Sequence, residues 1–276
     1  MSVFLCPHCR QPLTETEQGL VCPAGHAFDR ARSGYVNLLP PRGGGHHGDD
    51  RLMVRARRDF LDGGYYAPLA DALSETVLRY AQPGVRLFDA GCGEGYYTSR
   101  IREALEAADR RPRAFGADIS KDALAAAGKR DRALELAVAS VYDLPLPDRC
   151  CDILLSVFSP LCLPEFRRIL DEGGIWVQAY PLEEHLWELK AAVYDEPYRN
   201  HPAPDAQEGF ELLSRQELRY TMELPDPVTV RNLFMMTPYY YKTSRQDQEK
   251  LDRLTSLKTQ AAFAVCAYRR RKDDLQ

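Results

Sequence analysis

The chain has 276 residues, 45% of them hydrophobic, and a formal net charge of −4. That size allows one large domain, or a domain plus a small module, with enough apolar mass for a sizeable core. No run approaches the ~20 apolar residues that cross a bilayer, and the acidic balance argues against a general nucleic-acid binder, although residues 1–60 lean basic with eight arginines against six acids. The start, MSVFLC, lacks the basic-then-apolar stretch of a leader, so the chain reads as cytoplasmic, with no membrane partner.

The first element is a metal module. Cys6, Cys9, Cys22 and His26 form C-x2-C-x12-C-x3-H. A C-x2-C turn presents two thiolates from one knuckle, and a second short-spaced pair completes a zinc tetrahedron. CPHC and CPAGH carry Pro and Gly where tight turns need them. So small a segment buries little apolar surface, and metal binding would supply its folding energy. His8, inside the first knuckle, reads as exposed. Four protein ligands leave no open position, which makes the zinc structural.

After the knuckle, Arg30, Arg32 and Tyr35 are suited to phosphate pairing and base stacking. The same stretch, GYVNLL, also reads as a strand docking the finger on the body, and both readings stand. Residues 40–50, PRGGGHHGDD with its preceding Pro, read as a flexible linker that lets the finger swing, with His46 and His47 solvated. The expected division is therefore a zinc-binding RNA-recognition module over 1–39, a linker over 40–50 and a catalytic domain over 51–276.

From residue 51 the pattern alternates. RLMVRARRDFLDGG and YYAPLADALSETVLRYA read as helices, VRLFDAG as a buried strand, YYTSRIREALEAADR as a helix and RAFGADIS as a strand. KDALAAAGKR, LELAVAS, CDILLSVFS, LPEFRRIL and GGIWVQAYP continue the alternation. This predicts an α/β fold, a Rossmann-like, mostly parallel sheet with helices on both faces. ELRYTMEL and TQAAFAVCAYRR lack the rhythm and suit an antiparallel edge. Arg51, Arg55, Arg57 and Arg58 read equally as phosphate contacts or as a solvated helix face.

The chemistry begins where the first strand of the body ends, in LFDAGCGEGYY. Asp89 is followed by Gly91, Gly93 and Gly95 and then a helix. Such glycines let the backbone approach a ligand at the carboxyl edge, near a helix N-terminus. The spacing is G-x-G-x-G, not the G-x-G-x-x-G of dinucleotide enzymes. Asp118 ends the next strand, where a carboxylate can accept both ribose hydroxyls. The combination suits S-adenosylmethionine (SAM). Cys92 in the loop reads as merely small.

These motifs resemble those of class I SAM-dependent methyltransferases. The finger, GYVNLLP, ARRDFLDGGYYAPL, GCGEGYYT, EEHLWELK and MTP together resemble one family, the bacterial 23S ribosomal RNA guanine-N1-methyltransferases. The resemblance implies one structural zinc on Cys6, Cys9, Cys22 and His26, and a Rossmann-like catalytic domain. It also implies a hairpin of 23S rRNA as substrate and a homodimer. It places Glu94, Gly95 and Tyr96 in the SAM loop, and Tyr66 and His185 at the cofactor; from the residues alone these last two read as core packing and as an exposed helix histidine. Many SAM enzymes have an Asp after the third strand for the adenine amine. Ser140 stands there with Val141 beside it, so the adenine is expected to meet a backbone amide and an apolar side chain. Phe158-Ser159-Pro160-Leu161 stands where enzymes acting on exocyclic amines often carry Asn/Asp-Pro-Pro-aromatic, which fits a ring-nitrogen target. No side chain is assigned as the proton acceptor. Two rival readings are a small-molecule methyltransferase with a zinc knuckle, and an RNA-binding module that keeps SAM without catalysis; the intact loop and Asp118 oppose the second.

Overall fold

A computed structural model of the chain describes residues 2–40, 48–202 and 204–272. Most of the expected linker, with His46 and His47, lies outside the described residues. Among the described residues no helix is long and apolar enough to cross a membrane.

The finger is a small antiparallel sheet of β1 (Thr14–Glu15), β2 (Gly19–Val21) and β3 (Ala27–Asp29). The chain then forms β4 (Val36–Asn37), α1 (Arg51–Asp62) and α2 (Ala67–Tyr80). The body continues as β5 (Arg86–Ala90), α3 (Tyr96–Ala107), β6 (Arg113–Asp118), α4 (Lys121–Arg130), β7 (Glu135–Val138), β8 (Cys151–Val157), α5 (Leu163–Ile169) and β9 (Leu170–Pro181). It ends with α6 (Trp187–Val193), β10 (Phe210–Leu224), α7 (Pro227–Met235), α8 (Arg245–Gln248) and β11 (Leu257–Arg270). Polar caps start several helices where the sequence places them. The Asp50 carboxylate accepts from the amides of Leu52 and Met53 at the head of α1, and Ser120 accepts from Ala123 at the head of α4.

The large sheet has the order β10-β11-β9-β8-β5-β6-β7-β4. Strands β4 to β9 pair in parallel, and β11 runs antiparallel to both β9 and β10, as the late strands' lost rhythm implies. Alternate residues of each strand face opposite sides. On one side Leu87, Leu136, Ile153 and Val177 cluster with Phe60 of α1, Leu73 of α2, Ile101 of α3 and Leu124 of α4. On the other side Phe88, Phe115, Leu154 and Trp176 cluster with Phe166 of α5 and with Phe4, Leu13, Leu20, Val36 and Leu38 of the finger.

Helices lie on both faces as expected, with α5 on the side of Phe88 and Phe115. The link from β7 to β8, residues 139–150, holds no helix, and the finger supplies that part of the cover. One expectation changes: the finger was expected to swing on its linker. Instead β4 adds a parallel strand beside β7, with Val36 opposite Ala137 and Asn37 opposite Val138. The Leu38 amide donates to Val138 O at 3.0 Å and the Leu5 amide to Pro145 O at 2.8 Å. Arg10 donates to Leu144 O at 2.9 Å and pairs with Asp143, while Arg132 donates to Arg32 O at 3.1 Å. GYVNLL is thus a docking strand. Tyr35 leans half-buried on the helix-side core.

Gly128 marks how close the contact is. A Cβ there would lie 1.9 Å from the Ser33 backbone oxygen. Gly128→Ala must push α4 and the finger apart, at a cost of about 1–3 kcal/mol. Urea unfolding should show the unfolding free energy falling by that amount, seen as a lower midpoint; an unchanged midpoint would mean the finger does not dock this way.

Candidate functional site

The four finger ligands converge. Their donor atoms all lie within 4.8 Å of one another. Cys6 Sγ is 3.5 Å and Cys22 Sγ 3.3 Å from His26 Nδ1, and Cys9 Sγ is 3.6 Å from Cys22 Sγ. A tetrahedron with bonds of ~2.3 Å to sulfur has edges of about 3.7 Å, so three thiols and one imidazole at these spacings fit zinc. Burial pushes the Cys22 thiol up, but hydrogen bonds from the His26 and Ala24 amides and the contacts with Cys9 and His26 outweigh it. The thiol comes down to about 6, toward the thiolate that a metal takes. His8 is exposed and stacks on Phe28 with ring centroids 5.9 Å apart, so it is a neighbour of the site and not a fifth ligand.

The second site lies at the carboxyl edge of the parallel strands. Gly91 and Gly95 turn the chain out of β5 with φ of 87° and 79°, a region open to glycine. At Gly91 a Cβ would meet the Cβ of Ser159 at 2.5 Å, so the loop needs glycine for space as well as for angle. Asp118, at the end of β6, accepts from the Gly93 amide at 2.9 Å through one oxygen and from the Ser120 amide at 2.8 Å through the other. Burial raises its pKa, and these two bonds oppose the rise. Each oxygen keeps a lone pair for a ribose hydroxyl.

Asp89 is buried beneath the loop. Its Oδ2 accepts from Thr98 Oγ1 at 2.5 Å, while Oδ1 is buried with no partner among the described residues. Burial pushes its pKa up to about 7, the Thr98 bond lowers it, and the charge of Asp118 raises it further. A cation placed above the loop would restore the carboxylate, so this orphaned oxygen fits a ligand that carries a sulfonium and an ammonium group.

His185 and Tyr66, far apart in sequence, meet. Tyr66 precedes α2 and His185 follows β9, and both are buried, with Tyr66 Oη 3.3 Å from His185 Nε2. The Ala262 amide donates to His185 Nδ1 at 3.2 Å. The ring proton therefore sits on Nε2 and is shared with the Tyr66 oxygen, which leaves the tyrosine hydroxyl free to donate. Burial, with Lys190 nearby, lowers the His185 pKa to about 3, so the ring is neutral at physiological pH.

Other expected residues are placed differently. The Glu94 carboxylate is tied through Oε2 to Arg130 at 2.6 Å, while its Oε1 is buried with no partner among the described residues. The Tyr96 ring carries the Arg130 guanidinium at 5.5 Å, and its hydroxyl accepts from Arg100 at 3.4 Å. Ser140 follows β7 and accepts from the Tyr142 amide, and Val141 turns into the finger-side core. Arg57 was read as a phosphate contact or solvated; it is half-buried, paired with Asp49, and its guanidinium would lie 3.7 Å from a Cβ on Gly93. Ser120 Oγ donates to the Asp49 carbonyl at 2.6 Å. The start of α1 thus borders the Asp118 end of the site, a contact no local pattern announces.

Cys9→Ser removes one thiolate from a closed site. Metal analysis should find one zinc per chain in the unaltered protein and a large loss in the variant, with a lower unfolding midpoint because the finger is part of the core. A folded, zinc-free unaltered protein would contradict the site.

Comparison with known proteins agrees with both sites. Residues 4–42 match a zinc-ribbon family described as RlmA, N-terminal, and residues 88–177 match a methyltransferase domain family. The chain is 38% identical over 226 residues, 79% of each chain, to the 23S rRNA (guanine(748)-N(1))-methyltransferase of Streptomyces fradiae. It is 31% identical over 266 residues to YxjB of Bacillus subtilis, covering 93% of this chain and 91% of that one. Among solved structures, YcgJ of Bacillus subtilis is similar in fold, with a TM-score of 0.50 at 13% identity over 74% of this chain and 99% of that one. The finger, the SAM-type loop and this likeness along most of its length place the chain in the 23S rRNA (guanine-N1)-methyltransferase family.

Proposed function

We propose that this protein transfers a methyl group from SAM to N1 of a guanine in a hairpin of 23S ribosomal RNA. The reading is carried by the likeness to the Streptomyces fradiae enzyme over 226 residues. The zinc-ribbon and methyltransferase matches in the same chain support it. Division of labour between a module over 1–39 and a catalytic domain over 51–276, a cytoplasmic setting and a homodimer belong to the proposal and rest on the sequence resemblance. RNA would meet the exposed arginines of the finger and of α1, namely Arg32, Arg51, Arg55 and Arg58.

When bound, SAM supplies an electrophilic sulfonium methyl. The chain's residues do the holding. Asp118 would accept the ribose hydroxyls, Gly91, Gly93 and Gly95 let the backbone approach, and the orphaned Asp89 Oδ1 would face the cationic end. Guanine N1 carries a proton, and its lone pair appears only as that proton leaves. His185 does not take it: one ring nitrogen accepts from a backbone amide and the other bears hydrogen. It positions Tyr66 instead. Holding the base in line behind the methyl, away from bulk water, then supplies much of the barrier reduction.

Asp118→Ala removes a charged acceptor, with each lost bond worth ~1.5–3 kcal/mol before compensation. Calorimetry should show SAM affinity falling about tenfold or more; unaltered binding would move the ribose elsewhere. The purified protein with labelled SAM and 23S rRNA should yield N1-methylguanine in digested RNA, read by mass spectrometry, and RNA affinity should fall steeply with salt. Label entering a metabolite pool and not RNA would favour a small-molecule methyltransferase.

A further inference from the structure

Phe158 stands at the carboxyl edge with its ring partly in solvent. It follows β8, beside the loop after β5, and its neighbour Ser159 is the residue packed against Gly91. Its φ is +55°, a conformation costly for a bulky side chain. Its amide donates to Ala179 O at 3.1 Å, which holds the strained backbone in place. Burial does not explain the strain, because the side chain is 43% exposed. One part of the ring rests on an aromatic floor: Phe263 at 5.5 Å, Tyr97 at 6.3 Å and Tyr66 at 6.5 Å between centroids. The exposed part opens to solvent beside the SAM loop. Around it, Tyr97 Oη and Ser159 Oγ are buried with no hydrogen-bond partner among the described residues.

We infer that Phe158 is the stacking platform for the target guanine, splayed from its hairpin. The inference rests on the methylation of guanine N1 proposed above. A base taken out of its stack loses π-contact and needs a face to replace it. An aromatic ring held in a strained backbone, with buried neighbours beneath and an open face above, supplies one at the edge where the methyl is delivered. The left-handed backbone aims the ring, which a relaxed strand end would turn elsewhere.

The test uses full-length protein, SAM and the 23S rRNA hairpin. Stacking on one aromatic ring is worth about 1–3 kcal/mol per base, which is roughly a 5- to 150-fold effect. Phe158→Leu should therefore lower kcat/KM for RNA by about tenfold to a hundredfold, while SAM affinity by calorimetry stays within about twofold. Phe158→Tyr should restore most of the rate. Phe158→Gly relieves the strained φ, so its unfolding midpoint should hold while methylation falls, which a merely structural ring would not produce. Wild-type turnover in Phe158→Leu would overturn the inference alone, and so would a parallel loss of SAM affinity, which would make the ring a cofactor wall. No N1-methylguanine from the unaltered protein would overturn the guanine reading itself, and this inference with it.

Discussion

A parallel sheet must be covered on both faces, because its strands are apolar on both. In this protein the two crossovers β5-α3-β6 and β6-α4-β7 place their helices on one face. The chain then passes from β7 to β8 without a helix, which would leave Phe88, Phe115 and Leu154 facing water. The zinc finger closes that gap. Its own strands are two or three residues long and its core is a handful of side chains, so it depends on the sheet as much as the sheet depends on it. Each large side chain fully buried at this contact contributes about 1.5–3 kcal/mol, more than so small a module can gather alone. The metal holds the knuckles, the shared core holds the finger, and β4 ties both into the hydrogen-bond ladder.

The same docking shapes the site. With the finger fixed along the β7 edge, its exit at Leu38–Pro40 lies against Ser140 and Asp143, next to the strand ends that carry the loop and Asp118. Asp49, just ahead of α1, lies beside the Asp118 end through its contacts with Ser120 and Arg57. Metal module and cofactor edge are therefore parts of one arrangement. Zinc loss would be felt at the SAM end through packing, with no change in the residues there.

Several costly features gather at the carboxyl edge: among the described residues, a carboxylate oxygen without a donor at Asp89 and a tyrosine hydroxyl without a partner at 97, with a neutral buried histidine at 185 and a strained phenylalanine at 158. Other unmet groups lie within the sheet, at Trp176 Nε1 and Tyr268 Oη among the described residues, and left-handed backbone at Asp109 and Arg149 lies in turns. At the edge where the glycine loop opens, unmet polar groups and a strained backbone meet in one place, which fits a binding site.

The sequence by itself determined the zinc ligands, the glycine loop, Asp118 and the order of strands and helices. Each is a local signal: two knuckles a few residues long, a turn that only glycine adopts, an acid at the end of an apolar run. It left GYVNLL open between RNA contact and docking strand, and it misread the finger as a swinging module, because a two-residue strand declares itself only beside its partner β7. Without the family resemblance, His185 read as an exposed helix residue, since the amide of Ala262 and the hydroxyl of Tyr66 that define its tautomer come from other parts of the chain. Glu94 carried no sign of Arg130, nor Arg57 of Asp49. Only the tertiary structure decided these, because burial, tautomer and ion pairing belong to contacts between segments, and no spacing along one segment encodes them.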